Sequence, residues 1–339
     1  MPLEVTTVAD DEVVIFDDGE VRRYEGLAPG VEHDLDGTPV TTLERPGGEL
    51  LCRFATVNDV HFGEVLCGVL DAFPDGPVFE AEPGATPYPE VMNRAAIEEM
   101  AAIDPVVVVV KGDLTAEGTE AEYAAFLAAY EPAFGDRLVH VRGNHDSYHG
   151  GTYAAWPTQR VDLPGVRLAL LDTAVPASES GRVTPEQIEW LDELAGSAEQ
   201  DGVPVVVLGH HHPWRPGGVR DEKYFGINPS DSEALVAVIA RRPAIAGYLA
   251  GHTHRNHVRH FEATGPVPYA EVACVKDFPG TWAEYRVFEG GILQVHRRIS
   301  SPAALAWSEK TRAIYGGHYT AYALGAIDDR CFALATSRR

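Results

Sequence analysis

Short runs of apolar residues recur along most of the chain and alternate with segments in which apolar residues repeat every three or four positions. A short apolar run is typical of a buried strand, and the longer repeat is typical of a helix with one apolar face. From residue 50 onward this alternation predicts an α/β domain. The predicted strands are Leu50–Val57, Val106–Val110, Leu138–Val141, Val166–Leu171, Val203–Leu208 and Ile245–Ala250.

Three segments between these strands carry helix signals. The first is marked by apolar residues on one helical face: Met92, Ala96, Met100 and Ile103. In the second, Thr184 and Gln187 form a capping box that predicts a helix through Leu194. Ser230 and Glu233 repeat the capping pattern and predict the start of a third helix.

The first 48 residues have a different pattern from the rest of the chain. Two apolar stretches, Val13–Phe16 and Val21–Tyr24, are separated by an Asp-Gly turn and predict a hairpin. We therefore expect three parts: a small β-rich N-terminal domain over 1–48, a catalytic domain over 49–299 and a C-terminal extension over 300–339.

Polar residues cluster directly after five of the predicted strands. The clusters are Asn58-Asp59-Val60-His61, Lys111-Gly112-Asp113, Gly143-Asn144-His145-Asp146, Gly209-His210-His211-His212 and Gly251-His252-Thr253-His254. Each cluster taken alone also fits a turn or a surface loop. Because the carboxyl ends of the strands line the ligand crevice of an α/β sheet, all five together predict one site.

Composition limits the classes of partner. The 339 residues carry a formal net charge of −24, which disfavours a nonspecific grip on nucleic acid. No apolar run approaches the roughly 20 residues of a membrane span, and no signal peptide is visible, so we expect a cytoplasmic protein. The four cysteines are scattered without a CxxC pair and are expected to be buried free thiols.

The five polar clusters together resemble the signature of the calcineurin-like metallophosphoesterase family, over about residues 50–297. Gly112–Thr115, followed by Gly118 and Tyr123, is most similar to the bacterial cyclic-nucleotide phosphodiesterase and glycerophosphodiesterase branch. The resemblance implies a four-layer α-β-β-α sandwich behind the small N-terminal β-rich domain. It also implies a phosphoester hydrolase that acts on a small substrate by attack of a metal-bound hydroxide.

The resemblance further implies a ligand set for two divalent metal ions. One ion would be held by Asp59, His61 and His254, the other by Asn144, His211 and His252, with Asp113 bridging both. His211 is preferred because the ligand of the family usually stands two residues before the proline, and His210 and His212 are the alternatives. Mixed nitrogen and oxygen ligands favour Mn²⁺, Fe or Zn²⁺.

Other residues are expected around this centre. By resemblance, His145 is the acid that protonates the leaving oxygen, and Asp146 is the carboxylate that orients it. The alternative for His145 is a histidine that only caps the backbone. Arg215 and His257 are candidates for substrate contacts, although loop charges are often merely solvated.

Three rival functions are weighed against a small-molecule phosphodiesterase. A phosphomonoesterase akin to purple acid phosphatases would need a metal-binding tyrosine, and none stands just after Asp113. A non-catalytic scaffold would be expected to have lost ligands, and none is missing here. A nucleic-acid phosphodiesterase is disfavoured by the acidic charge. Residues 1–48 and the tail after Arg298 are candidates for contacts in a homo-oligomer.

Overall fold

The computed structural model describes residues 3–69, 76–214 and 226–334. The strands of the N-terminal part are β1 (Glu4–Val8), β2 (Glu12–Asp17), β3 (Glu20–Glu25), β4 (Glu32–Leu35) and β5 (Thr38–Thr41). The strands that follow are β6 (Leu50–Val57), β7 (Val108–Lys111), β8 (Leu138–Val141), β9 (Thr158–Leu163), β10 (Val166–Leu171), β11 (Val205–Leu208), β12 (Ile245–Ala250), β13 (His257–His260), β14 (Pro268–Glu271), β15 (Thr281–Phe288), β16 (Gly291–Arg298) and β17 (Phe332–Leu334). The helices are α1 (Tyr88–Ala102), α2 (Glu120–Phe134), α3 (Pro185–Asp201), α4 (Pro229–Arg241), α5 (Pro302–Thr311), α6 (Tyr319–Leu324) and α7 (Ile327–Arg330).

Two six-stranded sheets form the main body. Their strand orders are β17-β16-β15-β6-β7-β8 and β13-β14-β12-β11-β10-β9. Buried side chains from both sheets form one apolar cluster, which includes Phe54, Val109, Leu168, Val206 and Leu249. The two sheets therefore pack face to face, and this cluster is the inner core.

Helices cover the outer face of each sheet. In β11, Val206 and Leu208 belong to the core between the sheets, whereas Val205 and Val207 belong to a cluster with residues of α3 and α4. Successive strand residues point to opposite faces, so burial on both faces requires a continuous apolar run. α1 and α2 cover the other sheet in the same way. These layers confirm the predicted α-β-β-α sandwich.

Parallel pairing brings the strand ends together. β6, β7 and β8 run parallel in one sheet, and β10, β11, β12 and β14 run parallel in the other. The carboxyl ends of the central strands in each sheet therefore meet at one edge. The polar clusters predicted from the sequence all follow these strands.

The start of α3 is as predicted, and its end lies further along the chain. Thr184 Oγ1 accepts from the Gln187 backbone N–H at 3.3 Å, and Gln187 Oε1 accepts from the Thr184 N–H at 2.8 Å. The helix runs past Leu194 to Asp201 and ends at Gly202, whose φ of 68° is left-handed.

Across the described residues, no helix is both long enough and apolar enough to span a membrane.

The predicted cap of α4 was wrong. The helix begins at Pro229, and the capping residue is Asn228, whose Oδ1 accepts from the Asp231 N–H at 3.0 Å. Ser230 lies inside the first turn and donates its hydroxyl to the same Asn228 oxygen at 2.8 Å. Asparagine followed by proline at the first helical position is itself a strong start signal, and it outweighs the serine pattern.

The first and the last described strands both contact the sheet that contains β6. β2 and β3 form the predicted hairpin, closed by Asp18 and Gly19 with φ of 44° and 85°. Asp10 pairs with Arg286 of β15 at 2.6 Å, which attaches this part to the main body. At the other end, β17 pairs with β16. The division at residues 48 and 299 stays a prediction. The cysteines are free and buried, as expected.

Candidate metal centre

The residues predicted as ligands lie on unusually bent backbone at the strand ends. Asp59, His61, Asp113, His252 and His254 all have positive φ, between 47° and 69°. Residues other than glycine rarely adopt this left-handed backbone conformation. The strain that it causes is often found at functional sites. All five residues supply ligand atoms to the two clusters described below.

Four of these side chains form the first cluster: Asp59, His61, Asp113 and His254 each offer a ligand atom within 4.8 Å of the others. His61 Nε2 lies 3.4 Å from Asp113 Oδ2, and His254 Nε2 lies 3.5 Å from Asp59 Oδ1. Ligand atoms about 3 to 3.5 Å apart are what bonds of about 2.1 Å to a shared metal require. The cluster has the chemistry and the spacing of a metal site.

A second cluster shares Asp113 with the first. His210 Nε2 lies 3.3 Å from Asp113 Oδ2 and 3.1 Å from Asn144 Oδ1. His210, His211 and His252 also bring ring nitrogens within 4.8 Å of one another. Asp113 therefore faces both clusters, so one carboxylate is placed to bridge two ions.

The three successive histidines have different surroundings. His210 Nδ1 donates to the Lys111 carbonyl at 2.8 Å, which directs Nε2 to Asp113 and Asn144. A second nitrogen bonded to a backbone carbonyl is the usual arrangement of a metal-binding histidine. His211 binds the Thr173 hydroxyl through Nδ1 at 2.8 Å, and its buried Nε2 has no hydrogen-bond partner among the described residues. His210 thus contacts Asp113 and Asn144, His211 lies in the same cluster, and the preference for His211 as the ligand stays a prediction.

Two glycines make this close approach possible. Gly112, with φ of 90°, lies against the His210 ring, and a Cβ there would lie 2.7 Å from the ring Cγ. A Cβ on Gly143 would collide with the Asp113 carboxylate and lie 2.7 Å from His210 Nε2. The glycines of the Gly-Asp and Gly-Asn-His blocks therefore leave room for the bridging carboxylate and its neighbour.

Burial and charge act in opposite directions on the pKa values of the imidazoles in these clusters. Burial opposes a charge on His61, yet Glu64 raises its pKa to about 9. Burial also opposes a charge on His210, and Asp113 raises its pKa to about 9. Burial holds the pKa well below its ordinary value in two further rings, His211 and His252. The carboxylates thus favour positive charge at the place where cations would bind.

His145 lies beside the first cluster. Its ring centroid is 4.5 Å from that of His61, and its backbone N–H donates to Asp113 Oδ1 at 3.0 Å. Its Nδ1 lies 2.7 Å from the Ala116 carbonyl, which can only accept, so Nδ1 carries a proton. Burial lowers the pKa of His145. The ring is therefore held with Nε2 as its reactive nitrogen.

Asp146 has different partners from those predicted. Its carboxylate accepts from the backbone N–H groups of Leu114, Thr115 and Gly143 at 2.8 to 3.1 Å and from the Thr115 hydroxyl at 2.7 Å. The partner of His145 is Ala116 instead. Asp146 thus ties together the loops that carry Asp113 and Asn144, and any effect on His145 passes through that loop. Burial raises the pKa of Asp146 to about 6.

Only one of the two predicted substrate contacts lies among the described residues. Arg215 lies outside the described residues. His257 begins β13, and its Nδ1 lies 3.4 Å from an Asp329 carboxylate oxygen of α7. Sequence reasoning missed Glu64, whose Oε2 lies 3.0 Å from His61 Nδ1, because a lone acidic residue in a loop carries no motif.

Comparison with known proteins agrees with this geometry. The family model described as calcineurin-like phosphoesterase matches residues 52–256. A cAMP/cGMP dual specificity phosphodiesterase of Mycobacterium tuberculosis is 30% identical over 181 residues, which cover 50% of this chain and 55% of that protein. A 3',5'-cyclic adenosine monophosphate phosphodiesterase of Pseudomonas aeruginosa is 27% identical over 198 residues, covering 57% of this chain and 68% of that protein.

A solved structure shares the fold. A dimetal phosphatase from Danio rerio superposes with a TM-score of 0.60 over 85% of this chain and 100% of that chain. The two are 12% identical, so the likeness concerns the fold alone. The matches to the curated relatives leave a large part of each relative uncovered, from about half to a third of its length.

Proposed function

Because the chain belongs to the calcineurin-like phosphoesterase family, we propose that it is a phosphodiesterase that uses two divalent metal ions to hydrolyse a small phosphodiester. The observation that carries the proposal is the position of Asp113. Its Oδ2 lies 3.4 Å from His61 Nε2 on one side and 3.3 Å from His210 Nε2 on the other. A carboxylate shared by two ligand clusters fits a pair of ions.

The side chains present divide into two ligand sets. The first ion would be held by Asp59, His61, Asp113 and His254, the second by Asp113, Asn144, His210 and His252. His211 stays the alternative to His210, since its buried Nε2 lies in the same cluster. When bound, such a pair of ions neutralises phosphate charge and activates a water. The nitrogen and oxygen donors favour Mn²⁺, Fe or Zn²⁺.

His145 is the proposed proton donor to the leaving oxygen. With Nδ1 fixed by the Ala116 carbonyl, only Nε2 can exchange a proton with the substrate. Its lowered pKa means that the free ring is neutral near neutral pH. An anionic phosphate beside the ring favours the protonated form, which then gives its proton to the departing alkoxide.

The substrate class follows from charge and from the relatives. The net charge of −24 opposes a long nucleic acid. The relatives carry names of cyclic-nucleotide phosphodiesterases. A cyclic nucleotide or a glycerophosphodiester is therefore the proposed substrate, and a phosphomonoester is the second candidate.

The test compares diesters with monoesters on the metal-loaded protein. Cyclic AMP, a glycerophosphodiester, bis-nitrophenyl phosphate and mono-nitrophenyl phosphate are assayed side by side. The proposal expects a higher kcat/KM for at least one unactivated diester than for the monoester. A clearly higher kcat/KM for the monoester would contradict the diesterase proposal and would not affect the proposed two-ion site.

A substitution at His145 tests the proton-transfer step. His145→Gln should slow a substrate with an alkyl leaving group by about 10²–10⁴-fold. A nitrophenyl substrate should slow much less, because nitrophenolate departs without a proton. His149→Gln is the matched control, since His149 is exposed in the same loop and pairs with Glu117. Equal losses for both leaving groups would remove His145 from this role.

A further inference from the structure

A group of buried polar side chains lies behind the first ligand cluster. Glu64, Lys276 and Asp277 have side chains only 16%, 6% and 3% exposed. Lys276 Nζ lies 2.6 Å from Glu64 Oε1 and 3.7 Å from Asp277 Oδ2, so the lysine stands between two carboxylates. Burying charges costs free energy that pairing often fails to recover, so such a group is poorly explained as a stabilising core feature.

The two carboxylates face the two histidines of the first ligand cluster. His61 turns Nε2 toward Asp113 and Nδ1 toward Glu64, at 3.4 and 3.0 Å. His254 is arranged in the same way, with Nε2 3.5 Å from Asp59 and Nδ1 3.8 Å from Asp277. In both rings, one nitrogen points into the ligand cluster and the other points to a carboxylate behind it.

Asp277 is held in place by side chains from distant parts of the chain. Its Oδ1 accepts from the Tyr319 hydroxyl at 2.6 Å and from the Cys274 thiol at 2.8 Å. Tyr319 opens α6 and is almost fully buried. A carboxylate with two donors on one oxygen keeps its other oxygen directed toward Lys276 and His254.

The C-terminal helices also fix the backbone around Asp277. The Trp307 indole N–H of α5 donates to the Lys276 carbonyl at 2.9 Å, and the Phe278 N–H donates to the Thr311 hydroxyl at 2.9 Å. The family model ends at residue 256, so Lys276, Asp277 and these helices all lie beyond the matched region.

We infer that three positioning residues orient His61 and His254 for the first metal ion: Glu64, Lys276 and Asp277. Tyr319 holds Asp277 in place. The C-terminal segment with α5 and α6 thus contributes to the geometry of the metal site. Carboxylates behind metal-binding histidines fix the ring orientation and strengthen the ligand, and their loss typically weakens metal affinity about 10–100-fold. The inference rests on the proposed two-ion centre.

The test measures the two affinities separately by calorimetric titration of the metal-free full-length protein with Mn²⁺. Asp277→Asn keeps the size of the side chain and removes its charge. The affinity for one ion should fall about 10–100-fold while the affinity for the other stays near the wild-type value. Glu64→Gln should weaken the same ion.

Tyr319→Phe provides a milder variant in case the charge changes prevent folding. It should weaken the same ion several-fold, since Asp277 loses one donor. The matched control is Tyr130→Phe, because the Tyr130 hydroxyl is also buried and donates to a side chain, Asn93 Oδ1, at 2.7 Å. The control should keep both affinities.

Two outcomes contradict the inference in distinguishable ways. Wild-type affinities for both ions in Asp277→Asn and Tyr319→Phe would overturn it and leave the proposed function intact. A wild-type protein that binds none of Mn²⁺, Fe²⁺ and Zn²⁺ would overturn the proposed function, and the positioning role with it. A loss shared equally by both ions, with the control unchanged, would show general loosening and would also overturn selective positioning.

Discussion

At the scale of single residues, the candidate site depends on backbone conformations that residue types alone do not reveal. Asp59 and His254, far apart in sequence, both have φ near 55° and lie with ligand atoms 3.5 Å apart. Left-handed backbone costs on the order of 1 kcal/mol or more for a residue other than glycine. The strand-end motifs predict which residues meet, whereas the direction of each side chain follows from these bends.

The run of three histidines leaves open which ring binds the second ion. Counting back from the proline selects His211, but the ring nitrogen beside Asp113 and Asn144 is that of His210. Spacing cannot fix this choice, because a single residue more or less before the turn changes which ring enters the cluster. The Lys111 carbonyl that orients His210 lies on another strand and is invisible to a local pattern.

Alanine substitutions of the three histidines decide between them. His210→Ala should lose the second ion, because its Nε2 is the ring nitrogen within 3.3 Å of both Asp113 and Asn144. His212→Ala should keep both ions, since neither ligand cluster found among the described residues includes His212. Metal content per chain is measured after dialysis. Two ions in His210→Ala and one in His211→Ala would restore the choice made from spacing.

At the scale of strands and helices, the apolar pattern predicted both ends of β6, β8, β10 and β12 and placed the starts of β7 and β11 two residues too early. β7 begins at Val108 rather than Val106, and β11 begins at Val205 rather than Val203. Pro204 stands just before the start of β11, and proline lacks the N–H that a strand ladder needs. Before β7, the Val106 N–H already donates to the Arg53 carbonyl of β6 at 2.9 Å. The apolar pattern indicates burial, but it does not report where the regular strand ladder begins.

One strand residue outside the metal centre should make stability depend on pH. His140 of β8 is buried, and its Nε2 lies 3.0 Å from the Tyr123 hydroxyl. Burial lowers the pKa of His140 to about 4, below the unfolded value of 6.5. The unfolded chain therefore binds more protons at this residue between these values. The contribution of neutral His140 to the free energy of unfolding is present above about pH 6.5 and is lost as the pH falls toward about 4.

The comparison variant is His140→Gln, which removes the titration and keeps a polar side chain. Between about pH 7.5 and about pH 5.5, wild type should lose about 1 kcal/mol more unfolding free energy than the variant. Denaturant unfolding at both pH values measures this difference. Parallel losses in the two proteins would mean that His140 does not titrate as its burial suggests.

At the scale of the whole molecule, the sequence predicted the four-layer fold and the meeting point of five loops. It did not predict that the C-terminal segment reaches back to that point. Tyr319 contacts Asp277 at 2.6 Å across 42 positions of sequence, and neither residue belongs to a motif. Contacts of this kind depend on how the helices pack against the sheets, so local patterns contain no signal for them.

The central claim is that one protein chain holds two metal ions through a shared Asp113. Its most direct test is metal content per chain for wild type and Asp113→Ala after loading with Mn²⁺ or Zn²⁺. Wild type should retain about two ions, and Asp113→Ala should lose both or bind them far more weakly, because one carboxylate serves both clusters. Wild type without bound metal, or Asp113→Ala with two ions held as tightly as in wild type, would contradict the claim.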